Sequence, residues 1–335
     1  MIIKQFNRAI YFLLEKEARL VLNKYKPKVI SVVGSDFTTN TGHALFTALS
    51  KFYFVRPAGK NVSLNILGFQ DGEKTLWEWV LVFIEGLALI ILPNHYPEFI
   101  IVESKFEGAD YIVHVDEMSK LKTKDYEIIY DEQKLPKGIT FKIINNDQEF
   151  TVLLDDTIGR SQMEPVLKAF DLCTVLGQNL SILSKAFNDL HEPKKGYMKL
   201  TKGIKGSVII DDSLDASIEL IVEGVRDLKS VNISKRRIAV IGDILELEKN
   251  SIKAHKRIGQ EIDEKIEMLV TVGIRARHIA EEALNNGYTE SNVFQFDEAG
   301  EAGGFIQNLI KAGDVIYVSG SNDMHMEKVV EEIKL

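Results

Sequence analysis

Short apolar runs alternate with stretches of helical spacing throughout the C-terminal half of the chain. The apolar runs are SVIIDDS, RIAVIGD, MLVTVG, NVFQF and VIYVSGS, and the helical stretches between them cover 216–229, 251–265, 275–286 and 298–311. Five strands with helices between them predict a doubly wound, Rossmann-like parallel sheet. Such sheets bind ligands at the carboxyl ends of their strands. The residues at those ends are Asp211, Asp212, Asp243, Gly273 and Ser319.

The N-terminal half begins with the same alternation. VISVV at 29–33 predicts a strand that ends at Gly34, followed by a loop and a helix over 43–52. The apolar stretch 76–92 predicts a second helix, and a second strand is predicted at 99–102. Strands that alternate with helices indicate a parallel sheet.

The pattern changes between the two halves. From about 108 to 158, apolar and polar residues alternate in segments such as ITFKII and EFTVLL, which predicts an antiparallel meander. Helical spacing returns over 163–190, and HEPKKG at 191–196 is typical of a linker. We therefore predict an α/β protein, with a parallel sheet and a small antiparallel part before the Rossmann-like part. The predicted divisions are an amphipathic helix at 1–28, one domain at 29–195 and another at 196–335.

Charge and cysteine content narrow the function classes. The net charge of −8 argues against a nucleic acid partner, which would need a clustered basic surface. A single cysteine, Cys173, cannot form an intrachain disulfide and indicates a reducing, cytoplasmic location. Glu78 and Glu85 interrupt the stretch 76–92, which is also shorter than the ~20 apolar residues of a membrane span. We predict a buried helix there, with contact with a membrane surface or self-association as a homodimer as the alternatives.

Several segments resemble one enzyme family. GIKGSVIIDDSLDAS, RRIAVIGDILELEKNSIKAHKRIG and DVIYVSGSNDMHMEKVV resemble the C-terminal domain of the Mur ligases, most closely the MurF type. KYKPKVISVVGSDFTTNTGHALFTAL resembles the family's strand and phosphate loop, and PEFIIVES the strand that carries a metal-binding glutamate. The resemblance implies a shortened Mur ligase central domain and a place in peptidoglycan precursor synthesis. Such ligases phosphorylate a carboxylate with ATP, and an amine then displaces the phosphate.

The phosphate loop departs from the family pattern of Gly, Ser or Thr, any residue, Gly, Lys, Thr. The corresponding residues are Gly34, Ser35, Asp36, Phe37, Thr38 and Thr39. Phe37 replaces a glycine that lets phosphate approach the backbone, and Thr38 replaces the lysine. Asp36 adds negative charge, and like charges about 4 Å apart repel by ~1–4 kcal/mol. The resemblance leaves Thr39 and Glu103 as a remnant of the metal site.

Other family motifs are altered as well. The stretch after Glu103 that carries a metal-ligating histidine and a carbamoylated lysine is missing, and we interpret His114 as a polar strand residue. Gly-Arg-Met becomes Gly196-Tyr197-Met198, and Asp-Asp-Ser-Tyr-Asn-Ala becomes residues 211–216, with Leu214 and Asp215 replacing the aromatic and the amide. The resemblance places a ligand rim at Tyr197, Asp211, Asp212, Ser213, Asp215, His255 and Ser319. Two structural alternatives stay open, in which Asp211 and Asp212 cap the next helix and His255 is a buried helix residue.

Three functions follow from these residues. The first is a pseudoenzyme with a degenerate phosphate loop, which binds a cell-wall precursor or a cell-wall synthesis protein without a cofactor. The second is an active D-alanyl-D-alanine-adding ligase in which Lys51 or Lys105 replaces the missing lysine. ATP and Mg²⁺ are expected only for that ligase. The third is an unrelated binding or self-associating structural protein.

Overall fold

The chain is described here from a computed structural model. The structure describes residues 2–34, 38–72, 74–117, 119, 121–190, 193–214, 216–233, 235–245, 247 and 250–335. The chain forms two compact units, of which the first combines Met1–Leu121 with Glu164–Ala186 and the second Lys122–Met163 with Phe187–Leu335. The antiparallel strands thus group with the C-terminal sheet. The division at 1–28, 29–195 and 196–335 stays a prediction.

The first unit contains a four-stranded parallel sheet. Its strands are β1 (Lys28–Val33), β2 (Val55–Gly59), β3 (Phe99–Val102) and β4 (Tyr111–His114), in the order β2-β3-β1-β4. The helices before β4 are α1 (Ile2–Tyr25), α2 (Thr38–Leu49), α3 (Val62–Leu67) and α4 (Leu76–Ile91). The predicted meander was wrong for 111–114, because β4 pairs in parallel with β1.

Helix α1 is amphipathic, as its spacing predicts. Ile10, Leu14, Ala18 and Val21 are buried, and α1 packs on α3 and α4. These residues recur every three or four positions, so they lie on one face of the helix.

Helix α4 is buried on one side only. Val82 is buried in the core shared with α1 and α3, whereas Trp77 and Ile91 on the other side are exposed. The prediction of a buried helix is therefore wrong for the outer face. Helix α4 is apolar on both faces, but only one face packs against the core. In the part of the chain that the structure describes, no helix meets the length and hydropathy of a membrane span.

A three-stranded antiparallel sheet follows. Its strands are β5 (Lys122–Tyr130), β6 (Pro136–Asn145) and β7 (Gln148–Asp155), with β6 in the centre. Asn146 and Asp147 join β6 to β7, and both have positive φ, as a tight two-residue hairpin requires. Two helices follow, α5 (Met163–Val175) and α6 (Leu180–Leu190).

The C-terminal sheet has six strands. They are β8 (Lys199–Gly203), β9 (Ser207–Asp212), β10 (Arg237–Gly242), β11 (Met268–Val272), β12 (Val293–Phe296) and β13 (Val315–Ser319). The order is β12-β11-β10-β13-β9-β8, and only the edge strand β8 is antiparallel within this sheet. The helices are α7 (Ile218–Ser230), α8 (Ser251–Gly259), α9 (Arg277–Asn285), α10 (Ala299–Leu309) and α11 (Glu327–Ile333). The predicted α/β fold with a Rossmann-like C-terminal part is confirmed.

Candidate functional site

The phosphate-loop position lies at the carboxyl edge of the first sheet. Because β1 to β4 are parallel, the residues that follow them meet at one edge, where such sheets bind ligands. Gly34 follows β1 and Glu103 follows β3 at this edge. Ser35, Asp36 and Phe37 lie outside the described residues.

Thr39 and Glu103 are in direct contact at this edge. The Thr39 hydroxyl, in the first turn of α2, donates a hydrogen bond of 2.8 Å to Glu103 Oε2. One turn later, a Cβ on Gly42 would lie 3.2 Å from Glu103 Oε1 and 2.7 Å from the Ala58 Cβ. The absence of a side chain at Gly42 thus lets α2 approach the ends of β2 and β3. The structure therefore brings together the two residues that the resemblance places at the metal site.

Asp116 is a further acidic residue beside the loop. A Cβ built on Gly34 would lie 2.9 Å from Asp116 Oδ2 and in contact with Val115, so the Asp116 carboxylate lies close to the backbone of Gly34. The sequence interpretation missed Asp116 because it did not identify β4. The available signal was YIVHVD, a short apolar run that ends in an aspartate.

The candidate lysines differ in where they lie. Lys51 comes after the far end of α2, so it lies about 18 Å from Thr39 at ~1.5 Å of helix rise per residue, beyond the reach of a lysine side chain. Lys105 lies two residues after Glu103, and Lys60 directly follows β2, so both lie at the same edge of the sheet as Thr39. Lys60 was missed from the sequence.

Mg²⁺ and a triphosphate are the groups that the resemblance implies at this edge of the sheet. Within the described residues, no cluster of three or more His, Cys, Asp or Glu side chains could hold a metal ion. Thr39 and Glu103 offer two oxygen ligands, whereas Mg²⁺ takes six. Thr38 supplies no positive charge for a triphosphate. Among the described residues, Thr39 and Glu103 thus fit a divalent cation in part. His114 is the exposed last residue of β4.

In the second unit, Asp211 joins two segments that carry the resemblance. Asp211 Oδ1 accepts a hydrogen bond of 2.6 Å from the Ser213 hydroxyl, and Oδ2 accepts one of 3.2 Å from the Gly196 N–H. Gly196 has φ +79, and its carbonyl accepts from the Leu214 N–H at 3.1 Å. The half-buried Tyr197 follows in the same turn. Asp215 lies outside the described residues.

Asp212 has separate partners on the neighbouring strand. Tyr317 Oη donates to Asp212 Oδ2 at 2.8 Å, and the Ser319 hydroxyl donates to the same oxygen at 3.3 Å. Burial, and then the Asp212 charge, raise the pKa of Tyr317 well above its usual value. The helix after β9 is capped by Ser217, which accepts from the Leu220 N–H, so the capping role for Asp211 and Asp212 is wrong.

His255 is a buried, hydrogen-bonded residue of α8, as the structural alternative to a ligand-binding role predicts. Its Nε2 accepts from the Ile244 N–H at 3.1 Å, and Nδ1 lies 2.7 Å from the Ser251 carbonyl oxygen. These partners assign the proton to Nδ1, and burial lowers the pKa of His255. His255 thus holds the loop after β10.

Asp243 also ties rim loops together, because its carboxylate accepts from the Ala276 N–H at 2.6 Å and its carbonyl accepts from the Ser321 N–H. With Asp211 and His255, this gives three rim residues whose side chains hold loops in place, while Asp212 links β9 to β13. They fix the shape of the rim.

Comparisons with known proteins agree with this architecture. The family described as Mur ligase, glutamate ligase domain matches residues 198–322. The UDP-N-acetylmuramoyl-tripeptide--D-alanyl-D-alanine ligase of Bacillus subtilis (strain 168) is 27% identical over 137 residues, which cover 41% of this chain and 30% of that protein. The enzyme of the same name from Haemophilus influenzae is 24% identical over 202 residues, covering 59% and 42%. The chain thus spans less than half the length of these curated relatives.

Solved structures extend the similarity to nearly the whole chain. The MurF ligase from Thermotoga maritima in complex with ADP has a TM-score of 0.70 at 17% identity, and the match covers 96% of this chain and 83% of that one. The folylpolyglutamate synthase of Mycobacterium tuberculosis complexed with ADP has a TM-score of 0.63 at 9% identity, covering 97% and 93%. At these identities the similarity concerns the fold, and it confirms the fold that the resemblance implies.

Proposed function

We propose that the chain, which is similar to the Mur ligases of the MurF type, acts in peptidoglycan precursor synthesis without forming the amide bond itself. In this proposal the protein is a pseudoenzyme that keeps the ligase scaffold. It binds a cell-wall precursor or a cell-wall synthesis protein in the cytoplasm.

One observation carries the proposal. At the end of β1 the family's lysine position is Thr38, while the carboxylates of Glu103 and Asp116 lie at the same edge. A triphosphate brought there would lose a charge-assisted partner, which costs about 1.5–3 kcal/mol. It would also approach two negative charges. Both effects weaken ATP binding.

The C-terminal rim supports a binding role. Asp211 and His255 are buried, and their hydrogen bonds hold the segments at 196, 213 and 244 in place. The buried Asp212 accepts from Tyr317 and Ser319 on the neighbouring strand. A rim fixed in this way can present backbone groups and half-buried side chains such as Tyr197 to a ligand. This role needs no phosphoryl transfer.

The second candidate is an active ligase with a rearranged phosphate site, favoured by the contact between Thr39 and Glu103. ATP and Mg²⁺ would be its cofactors. Of the two lysines expected to replace the missing one, Lys105 lies at the correct edge and Lys51 lies too far along α2. If Lys105 takes the role, Lys105→Ala should abolish ATP turnover with a muramyl peptide, and Lys51→Ala should leave it unchanged.

Titration calorimetry with magnesium-ATP separates the two candidates. We expect no binding by the natural chain at ATP concentrations up to about 1 mM, because a loss of one charged contact and added repulsion weaken affinity by a hundredfold or more. The matched variant carries Phe37→Gly and Thr38→Lys, which restore the family loop, and it should bind measurably more tightly. A low-micromolar dissociation constant for the natural chain would refute the pseudoenzyme.

Precursor binding is tested separately, by titration of UDP-N-acetylmuramoyl tripeptide and of D-alanyl-D-alanine without nucleotide. Binding of either ligand supports the proposed role. If neither binds, the precursor-binding form of the proposal is wrong, and the partner-protein form is left.

A further inference from the structure

An apolar surface on α4 stays exposed among the residues of its unit that the structure describes. It consists of side chains along the outer face of this helix, which we call the outer stripe: Trp77, Val80, Leu81, Ile84, Leu87 and Ile91. Trp77 is 79% exposed, Ile84 57% and Ile91 73%. The opposite side of α4, which includes Val82, already packs on α1 and α3. The outer stripe is therefore not needed for the core of its own unit.

The outer stripe exposes about as much apolar surface as one partner buries in a protein interface. Its exposed fractions correspond to roughly 700 Å² of mostly apolar surface, whereas the largest apolar patch on a typical monomer is about 300–600 Å². One partner in a standard protein interface buries about 800 Å². The outer stripe alone nearly reaches this value.

The spacing of the outer stripe fits a second helix of the same kind. Trp77, Ile84 and Ile91 recur every seven residues, and Val80 and Leu87 lie three residues after the first two of them. This is the spacing of core positions where two helices pack along a common seam. A twofold axis at Ile84, midway along the seam, would place Trp77 of each copy opposite Ile91 of the other, so the surface is complementary to itself.

Charge favours a second copy over a lipid surface. The charged residues of α4 are Glu78 and Glu85, and both are exposed beside the outer stripe. Helices that lie on membranes carry basic residues on their polar face, because the lipid surface is negatively charged. A negatively charged lipid surface would repel Glu78 and Glu85. Beside an interface between two protein copies, both side chains would remain in water.

We propose that the outer stripe of α4 is a homodimer interface, in which two copies of this helix pack antiparallel about a twofold axis at Ile84. The proposal does not depend on the ligase or pseudoenzyme assignment, because it concerns the surface of the first unit.

Sedimentation velocity over about 1–100 μM chain tests association. The natural chain should pass from monomer to dimer as its concentration rises, and Ile84→Glu should weaken the dimer at least about tenfold, because it buries a charge at the centre of the seam. The matched control is Ile252→Glu on α8, where the replaced side chain is 56% exposed, and it should leave association unchanged. Both positions are exposed, so both variants should fold, which circular dichroism checks.

Crosslinks test the position of the axis and the antiparallel geometry. Cys173 is buried and cannot crosslink in the folded chain, so Ile84→Cys introduces the one accessible thiol at the predicted axis. Mild oxidation should link two copies through this residue, whereas Ile252→Cys should remain unlinked. Trp77→Cys should remain unlinked, because residue 77 of one copy lies opposite Ile91 of the other, whereas a parallel pair would link it. A chain that stays monomeric at 100 μM, or that binds phosphatidylglycerol vesicles through α4 as a monomer, would overturn the proposal.

Discussion

Asp227 is a buried residue whose side chain keeps its proton to a higher pH in the folded chain than an ordinary aspartate does. Its carboxylate is buried on α7. Oδ1 accepts a hydrogen bond of 3.3 Å from the Arg160 N–H, and Oδ2 lies so close to Gly159 that a Cβ there would clash with it. The second oxygen has no hydrogen-bond partner among the residues that the structure describes. Burial, and then the Glu223 charge, raise the pKa of Asp227 to about 7, although the Arg160 amide and side chain oppose the change.

The raised pKa predicts a stability difference that depends on pH. The folded state binds a proton at Asp227 up to about pH 7, whereas an unfolded aspartate loses it near pH 3.8. Because the folded state holds more protons in this window, stability falls as the pH rises from about 4 to 7. Asp227→Asn should be more stable than the natural chain by about 1–3 kcal/mol at pH 8 and little changed at pH 4. Urea unfolding at both pH values measures this, and an equal difference at the two would contradict the assignment.

Side-chain pairings at this scale could be predicted only where a family motif supplied them. The resemblance placed Thr39 and Glu103 at one site, and the two side chains are hydrogen-bonded. No sequence pattern indicated that Asp212 would pair with Tyr317, because 105 residues separate them along the chain. The position of Asp116 beside Gly34 was equally hidden, since it depends on the parallel pairing of β4 with β1.

Strands and helices were predictable where hydrophobic periodicity was strong. All five parallel strands of the C-terminal sheet were found. Four of them have apolar runs, and the short β12 was found because it lies between two helical stretches. The strands β2 and β8 were missed, because VRPAG and KLTKG have no apolar run, and β4 was assigned to the antiparallel segment that follows it. Pairing with neighbouring strands, rather than local pattern, makes β2 and β8 strands.

Helix α7 carries a glycine whose role comes from packing. A Cβ on Gly224 would clash with Tyr317 Oη, which donates to Asp212. Helix propensity alone would make Gly224→Ala stabilising by about 1 kcal/mol. We expect the opposite, a loss of about 1–3 kcal/mol, because the ring of Tyr317 is fully buried and cannot move freely.

The matched control for this substitution is Gly304→Ala on α10, where a Cβ meets nothing within 4 Å. It should stabilise the chain by about 0.4–1 kcal/mol. Thermal or urea unfolding of the two variants gives the comparison. A stabilising Gly224→Ala would show that Tyr317 has room to shift, and the packing argument would fail.

At the scale of the whole molecule, net charge modifies the proposed self-association. Each copy carries a formal charge of −8, so two copies repel one another, while the outer stripe attracts through apolar surface. Added salt screens the repulsion, because the Debye length falls from about 10 Å at 0.1 M to about 3 Å at 1 M.

The dimer should therefore become tighter when sodium chloride is raised from about 0.05 to 0.5 M, by severalfold in dissociation constant. Sedimentation velocity at matched chain concentrations measures this change. Dissociation on adding salt would point to an interface built from ion pairs, and would contradict the assignment to the outer stripe.

The way the chain contributes two separate stretches to each unit has a practical consequence for dissection. The backbone passes from one unit to the other after residues 121, 163 and 186. Trimming either terminus therefore cannot isolate one half intact. Production of the second unit alone would require excision of 164–186 and a designed linker in its place. A simple deletion of residues 1–195 would remove β5, β6 and β7, which belong to that unit.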